Sequence, residues 1–334
     1  MPRVAVILPV RDGGRYLRTA VQSILDQTFR DLELLLVDDH SSDGAIEDLP
    51  LSDTRINVLK SPGQGVSAAF NFGLERTQSP LVARMDADDI ALPQRLAEQV
   101  GLLEQRASVG IVGGCVEIFS QGSLGQGNRH YQSWLNRQVS PEEIHRALFI
   151  ESPVPNPTAM FRREVLDDLG GYSDPPWPED YDLFLRADAA GVLMAKPPGV
   201  VLLWREHPAR LTHCDPRYDR AQFQRAKAYF LARGCLEDIR QSGRAIIIWG
   251  AGPTGKQFHD LLEELHVATE GFIDVHPRRI GGTKRAKPIW PVEKAAEKGV
   301  FVLVAVGARH AREEIRTFLV RQGLREGDDF LFIA

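Results

Sequence analysis

PLVARMDADDIALPQRL, residues 80–96, has two unlike halves. The apolar run 80–85 reads as a strand covered on both faces. It stops at three acids within four positions, Asp86, Asp88 and Asp89, and Pro93 then opens a helix that runs to about Arg106. A buried strand that ends in charge and turns into a helix is the repeating unit of a doubly wound sheet. Carboxylates this close repel one another unless something positive sits between them. Either they face water singly or they hold a cation.

The same unit recurs on both sides. VAVILPV (4–10) is a continuous apolar strand, and Tyr16, Leu17, Ala20, Val21, Ile24 and Leu25 form one helical stripe after it. LELLLV (32–37) is a strand that ends at Asp38-Asp39. Ile56 to Leu59 is another strand, Val66 to Arg76 a helix, and IVGGCVEIF (111–119) a fifth strand. The fold class is α/β, a mostly parallel doubly wound sheet. Ligands of such sheets bind outside the carboxyl ends of the strands. Three polar clusters lie at such ends: Pro9 to Asp12, Asp38-Asp39 and Asp86 to Asp89. They are expected to share one crevice. In it, the D-x-D of Asp86-Ala87-Asp88 offers oxygen ligands suited to Mg²⁺ or Mn²⁺.

Residues 122–136 are polar and Gly-rich and read as a loop. A helix opens at Ser140-Pro141-Glu142-Glu143, TAMFRR is a short strand, residues 179–190 are a helix and 200–207 a strand. A long helix from Tyr218 to Arg233 links to a second pattern. There RAIIIWGAGPTG (244–255) is a strand followed by G-x-G-x-x-G, with Gly250, Gly252 and Gly255. GFID (271–274) is a second strand ending in Asp274, at the spacing of an acid that meets a ribose. Residues 300–307 and 329–334 are further strands, with a helix from Ala311 to Gln322 between them. The expected organisation is a domain over 1–214, a helical linker over 215–242 and a small Rossmann-like domain over 243–334.

The net charge of −5 lacks the basic excess of a nucleic-acid binder. Three scattered cysteines, Cys115, Cys214 and Cys235, form neither a disulfide framework nor a zinc motif, so a reducing cytoplasm is expected. No apolar stretch reaches the length of a membrane-spanning helix, and MPRVAVILPV reads as a first strand rather than a signal peptide.

ILPVRDGGRYLRTAVQSILDQTF, LLLVDDHSSD, GVSAAFNFGL, VARMDADDIALPQRL and EDYDLFLRA follow one another in an order that resembles the family-2 glycosyltransferases of the GT-A fold, in particular bacterial enzymes that build surface polysaccharides. The resemblance covers residues 3 to about 215. It implies a nucleotide-sugar donor met by Pro9, Val10, Asp39, Arg84, Asp86, Ala87 and Asp88, with Asp39 at the base. It implies a Mn²⁺ or Mg²⁺ held by Asp88, Asp86 and His207, and Asp180 as catalytic base. The acceptor is then a hydroxyl of a saccharide or a lipid-linked saccharide. Work at the inner face of a membrane, peripheral association with it and a homo-oligomer all fit that family. Two segments depart from it. Arg11-Asp12 stands where many relatives carry Tyr-Asn, and Ala69-Phe70-Asn71 lacks the Arg many of them have.

Each residue also has a plainer reading. Asp39 could cap the turn HSSDG, Glu179 and Asp180 could only complement a helix dipole, and His207 could be an ordinary strand-end histidine. In the second domain, GAGPTG would aim main-chain N–H groups at a phosphate. The segment resembles small Rossmann-like domains appended to sugar-modifying enzymes and methyltransferases, some of which bind nucleotides while others mediate assembly, so a dinucleotide is not required by it. The competing readings are a sugar nucleotidyltransferase, a catalytically silent GT-A scaffold with a nucleotide-sensing module, and an NAD-dependent oxidoreductase.

Overall fold

The computed structural model describes residues 1–49 and 51–334, with Arg309 by its main chain alone. The chain divides into two compact units. The first comprises Met1–His145 and Pro153–Tyr218, the second Arg146–Ser152 and Asp219–Ala334.

In the first unit the elements are β1 (Val4–Val10), α1 (Leu17–Leu25), β2 (Leu32–Asp38), β3 (Ile56–Lys60), α2 (Val66–Leu74), β4 (Leu81–Arg84), β5 (Ile90–Ala91), α3 (Arg95–Gln105), β6 (Val109–Val112), β7 (Cys115–Phe119), α4 (Gln126–Leu135) and α5 (Pro141–Leu148), whose residues from Arg146 onward are counted with the second unit. They continue with β8 (Met160–Arg162), α6 (Arg163–Leu169), α7 (Glu179–Ala189), β9 (Leu193–Ala195), β10 (Val200–Arg205) and α8 (Leu211–Cys214). Seven strands lie in the order β3-β2-β1-β4-β8-β6-β9. β1 is buried along its whole length and pairs in parallel with β2 and β4, which sets the carboxyl ends of these three strands side by side. Only β8 runs against its neighbours. A second sheet, β5-β10-β7, stands beside the first.

Two readings of the sequence are corrected here. Residues 111–119 are not one strand: the chain breaks at Gly113-Gly114, and β6 and β7 join different sheets. A side chain at Gly114 would stand 2.1 Å from Val201 Cγ2, and one at Gly113 would stand 2.8 Å from Val154 Cγ1, so the main chain turns where only glycine fits. Residues 126–135, read as loop, are a helix. Its polar residues face the edge of β7. Gln132 Oε1 accepts the Ile118 amide at 2.8 Å, and Asn136 just beyond the helix grips Val116 through both its amide groups at 2.8 and 2.9 Å. They stand in for a neighbouring strand.

The second unit holds α9 (Arg220–Arg233), α10 (Cys235–Gln241), β11 (Ala245–Trp249), α11 (Pro253–Glu264), β12 (Gly271–Ile273), β13 (Thr283–Lys284), β14 (Lys287–Trp290), β15 (Val300–Val304), α12 (Arg309–Arg321) and β16 (Phe330–Phe332). Its sheet order is β13-β14-β12-β11-β15-β16, parallel except for the β13–β14 hairpin. α9 and α10 belong to this unit rather than to a separate linker, and so does 146–152. The buried Lys227 of α9 explains the latter. Its Nζ donates to the Ile150 and Ile333 carbonyls at 2.7 and 3.3 Å, and Ile150 packs on the core of the unit. Burial pushes the Lys227 ammonium down to about 8.

The GAGPTG turn joins β11 to α11. Gly250 takes φ +120°, Gly252 caps the helix and Pro253 is its first residue. Gly255 is dictated by packing, because a Cβ there would lie 1.8 Å from the Gly250 carbonyl oxygen. Gly255→Ala is therefore expected to lower the thermal unfolding midpoint of the chain, at a cost of about 1–3 kcal/mol or more. Gly252→Ala, with nothing within 4 Å of the new methyl and an ordinary φ of −78°, is expected to leave it unchanged. Equal midpoints for the two variants would show that α11 yields freely.

Among the described residues no helix is long and apolar enough to cross a membrane.

Candidate functional site

The three acids of the opening stretch each find a different partner. β5 pairs antiparallel with β10, Ala91 opposite Leu202 and Ile90 opposite Leu203, and this register carries the end of β10 to the acidic loop. The Arg205 amide donates to Asp89 Oδ1 at 2.8 Å and its Nε to the Asp88 carbonyl at 2.6 Å. His207 Nε2 lies 2.8 Å from Asp88 Oδ2, across 119 residues of sequence. Asp86 Oδ1 accepts Arg84 Nε at 2.9 Å. Ala87 is half-buried between the two acids. Asp89 does not face the crevice. It is buried, its Oδ2 has no partner, and burial followed by the charges of Asp88 and Asp86 pushes its carboxyl well above the usual range.

Asp88 Oδ2 and His207 Nε2 are in direct hydrogen-bond contact, and a carboxylate with an imidazole is a donor set that suits Mn²⁺ better than a soft metal. Among the described residues no cluster of three or more His, Cys, Asp or Glu is disposed to hold a metal. Asp88 and His207 are the two side chains that would hold such a cation, and a bound diphosphate and water would have to supply its other ligands, as at Mg²⁺ and Mn²⁺ sites on phosphates. Asp86 is engaged by Arg84 and stands apart from that pair.

At the carboxyl ends of β1 and β2, Pro9 and Val10 pair with Val37 and Asp38. Asp38 Oδ1 accepts the Ser41 amide at 2.8 Å and Asp12 Oδ1 the Ser42 amide at 2.7 Å, so these two acids cap the turn HSSDG. Asp39 does not. It is buried and turns both oxygens to the Gly65 amide, at 3.0 and 3.1 Å, at the cap of α2. Asp12 thus has a structural task, and Asn71 does too, since its side chain holds the Tyr172 main chain at 2.7 and 3.0 Å.

The first turn of α7 carries three acids, and two are fully engaged. Asp182 accepts from Ser173 Oγ, from Trp177 Nε1 at 2.9 Å and from Arg186 Nε at 2.7 Å. The buried Glu179 takes the Tyr218 hydroxyl, with its two oxygens 2.8 and 3.0 Å away. Asp180 makes one hydrogen bond among the described residues, from the Tyr181 amide to its Oδ1 at 2.7 Å. Burial, then the charge of Glu179 and more weakly that of Asp86, push its carboxyl up to about 7, against the pull of the Tyr181 amide and Arg84. A carboxylate so placed can accept a proton near neutral pH. Its electrostatic partners Arg84 and Asp86 tie it to the D-x-D crevice, although sequence separates them by about a hundred residues.

Sequence reasoning missed Arg205, Tyr16, Tyr172 and Tyr218. Arg205 lies over the Tyr16 and Phe119 rings, 4.3 and 4.5 Å from their centres, and the His207 ring is 5.3 Å from that of Tyr16. WREH, next to a histidine already singled out, was the available signal for Arg205. Tyr218 had none, because its partner Glu179 is 39 residues away.

In the second unit Asp274 is buried beside the GAGPTG turn. Burial alone would raise its carboxyl, but bonds from the His276 amide at 2.9 Å and Arg279 Nη1 at 2.9 Å, with the Ala251 amide, hold it below the ordinary value.

Comparison with known proteins adds an independent line. The profile described as Glycosyl transferase family 2 matches residues 5–170. A Haemophilus influenzae protein, named only as an uncharacterized glycosyltransferase, is 25% identical over 288 residues, 81% of this chain and 88% of that protein. The amylovoran biosynthesis glycosyltransferase AmsE of Erwinia amylovora is 30% identical over 208 residues, 60% of this chain and 74% of AmsE. Among solved structures, S. aureus TarS in complex with UDP-GlcNAc matches with a TM-score of 0.58 over 79% of this chain and 72% of that one. At 15% identity this is a likeness of fold.

Proposed function

The chain belongs to glycosyl transferase family 2 and is a glycosyltransferase, and from that premise we propose that it moves a sugar, with inversion, from a nucleotide-diphosphate donor to a hydroxyl of a saccharide or lipid-linked acceptor in building a surface polysaccharide. The relative AmsE is named for such a synthesis, which supports the last step of the reading. A lipid-linked acceptor would place the work at the inner face of a membrane.

The observation that carries the proposal is Asp180, the one acid in the first turn of α7 that makes a single hydrogen bond among the described residues, poised near neutrality within electrostatic reach of Arg84 and Asp86. The acceptor hydroxyl loses its proton to Asp180 as its oxygen attacks the anomeric carbon. One base and one displacement give inversion. Asp88 and His207 are the residues that would hold Mn²⁺ or Mg²⁺ with the diphosphate, and when bound the cation neutralises the leaving group's charge. Asp39, with Pro9 and Val10, faces the nucleotide base. Glu179, held by Tyr218, keeps Asp180 from ionising early. No dinucleotide is assigned to the second unit. Gly250, Gly252 and Gly255 lie in the turn that joins β11 to α11, but Arg279 and the His276 amide already take the Asp274 oxygens that a ribose would need.

Because the base must be ionised, kcat/KM is expected to rise with pH through about 7 and to level off above it, falling tenfold per pH unit on the acid side. The check is a transfer assay with a nucleotide-sugar panel and Mn²⁺ from pH 5.5 to 9. A flat profile across pH 6 to 8 counts against Asp180 as the base. No turnover or binding with any nucleotide sugar counts against the reaction.

A further inference from the structure

The two neighbouring carboxyls at the start of α7 are served unequally. Glu179 is 1% exposed, and the Tyr218 hydroxyl lies 2.8 and 3.0 Å from its two oxygens. Among the described residues Asp180 has the Tyr181 amide alone, and no Lys, Arg or His pairs with Glu179. One phenol therefore holds a buried carboxylate. The phenol suits the task, because burial, then the charges of Asp180 and Glu179, push it well above its ordinary value and keep it a donor. Its place is set from its own stretch of chain. The Tyr218 amide donates to the Asp215 carbonyl at 3.0 Å, and Arg217 beside it is clamped by Asp215 at 2.6 Å and by Asp174 at 3.0 Å. Packing alone gives no reason for this arrangement, since a glutamine at 179 would accept the same hydroxyl with no charge to bury.

We propose that Tyr218 is a positioning residue for the transfer: by holding the negative charge on Glu179, its hydroxyl makes Asp180 the more basic carboxyl of the two. This rests on the reading of Asp180 as the base and adds to it what sets its strength. Two adjacent carboxyls with little water around them resist ionising together, and the one whose anion is better hydrogen-bonded gives up its proton first. With the hydroxyl in place that one is Glu179, and the remaining proton stays on Asp180 up to about neutral pH. Without the hydroxyl Glu179 is a dry, unpaired anion and takes the proton itself. Asp180 then ionises at lower pH, because the charge beside it is gone, and it is a weaker base. The other groups that act on Asp180 stand outside this exchange. They are Arg84, Asp86 and the Tyr172 hydroxyl, while Arg217 acts on Glu179 and Tyr218. A change confined to the Tyr218 hydroxyl leaves all four in place.

The test uses the full chain and reads the carboxyls directly as well as the rate. Carboxyl carbons of ¹³C-labelled aspartate and glutamate are titrated by NMR from pH 4 to 9 in wild type, Tyr218→Phe, Glu179→Gln and the double variant. Asp180→Asn and Glu179→Gln assign the two signals. The pH dependence of kcat/KM is measured on the same proteins with Mn²⁺ and the panel of nucleotide sugars. Tyr218→Phe is expected to move the Asp180 titration, and the acid limb of kcat/KM with it, about one pH unit or more lower, the worth of a hydrogen bond to a charged group. Glu179→Gln is expected to do the same, and Tyr218→Phe added to it is expected to move neither any further. A Tyr218→Phe protein with lower kcat and an unmoved limb overturns the proposal, since Tyr218 then only braces the end of the first unit. A further shift in the double variant overturns it too, because the hydroxyl then acts on Asp180 by another route. Should Tyr218→Phe fail to fold, wild type decides at pH 6. A carboxylate signal from Glu179 with an acid signal from Asp180 supports the proposal, and the reverse overturns it. A wild type whose carboxyls titrate as expected but which transfers no sugar overturns the functional reading and leaves the setting of Asp180 by Tyr218 supported.

Discussion

Asp180→Asn is expected to keep donor and metal binding and to lose turnover by about 10²–10⁴-fold, the range of general-base catalysis. Asparagine keeps the shape, and its side-chain oxygen can still accept the Tyr181 amide that Asp180 accepts now. What it lacks is a lone pair that can be protonated. Thermal unfolding separates this from a role in the helix alone. A carboxylate that only complements the dipole of α7 contributes about 0.3–1 kcal/mol, so its loss would lower the midpoint slightly and leave the rate nearly intact. The charges around Asp180 forecast the opposite shift. The unfolded carboxyl ionises near 3.8 and the folded one near 7. Between those values the folded state holds a proton the unfolded state has lost, so the contribution of Asp180 to stability falls as pH rises from about 4 to 7 and stays low above that. Asparagine removes the repulsion from Glu179 and Asp86, so at pH 8 the variant should melt at or above the wild-type temperature. A variant that melts lower and turns over normally would assign Asp180 to the helix.

Much of this arrangement was legible in the sequence because it is local. An apolar run buried on both faces, such as 4–10 or 32–37, has little freedom to be anything but an inner parallel strand, and both are strands at those positions. The GAGPTG turn was likewise legible, and Gly250 and Gly255 are required in it, the first by its positive φ and the second by its contact with the Gly250 carbonyl. What failed was what depends on neighbours. Residues 126–135 look like loop because Gln, Asn and Gly are frequent there, yet Gln132 and Asn136 are polar in order to cover the open edge of β7. No period within the segment carries that information. Gly113-Gly114 break an apolar run because Val154 and Val201 press on the main chain, and those contacts belong to the fold. In the site, the spacing of D-x-D drew attention to Asp86 and Asp88 as a pair, whereas the structure gives one to Arg84 and the other to His207. The register of β5 on β10 decides this, and β5 is two residues long.

Asp88→Ala is expected to abolish the metal dependence of nucleotide diphosphate binding and to slow transfer by about 10³-fold, since the charge stabilisation a cation supplies to a leaving diphosphate is worth several kcal/mol. The expectation is sharp because little else depends on the side chain. Asp88 bonds to Arg205 through its main-chain carbonyl, which alanine retains, and the Arg205 amide is held by Asp89. The β5–β10 pairing that carries His207 therefore survives, and the unfolding midpoint should barely move. His207 loses its partner but remains near the crevice, where it is half-buried beside Tyr16. A single imidazole with no carboxylate is a weak site for a hard cation. Calorimetric titration of nucleoside diphosphate with Mn²⁺ and with chelator should thus give a large difference for wild type and none for the variant, while His207→Ala should give an intermediate one. Should wild type and Asp88→Ala bind the nucleotide alike in both conditions, the Asp88–His207 contact is a protein ion pair and the diphosphate is held without a cation, by groups such as the stacked Arg205. The two outcomes also differ in their response to ionic strength. A cation seated between Asp88 and a diphosphate is coordinated directly and resists added salt, whereas a half-exposed arginine holding the same diphosphate is screened within about 8–10 Å at physiological salt and weakens as salt rises.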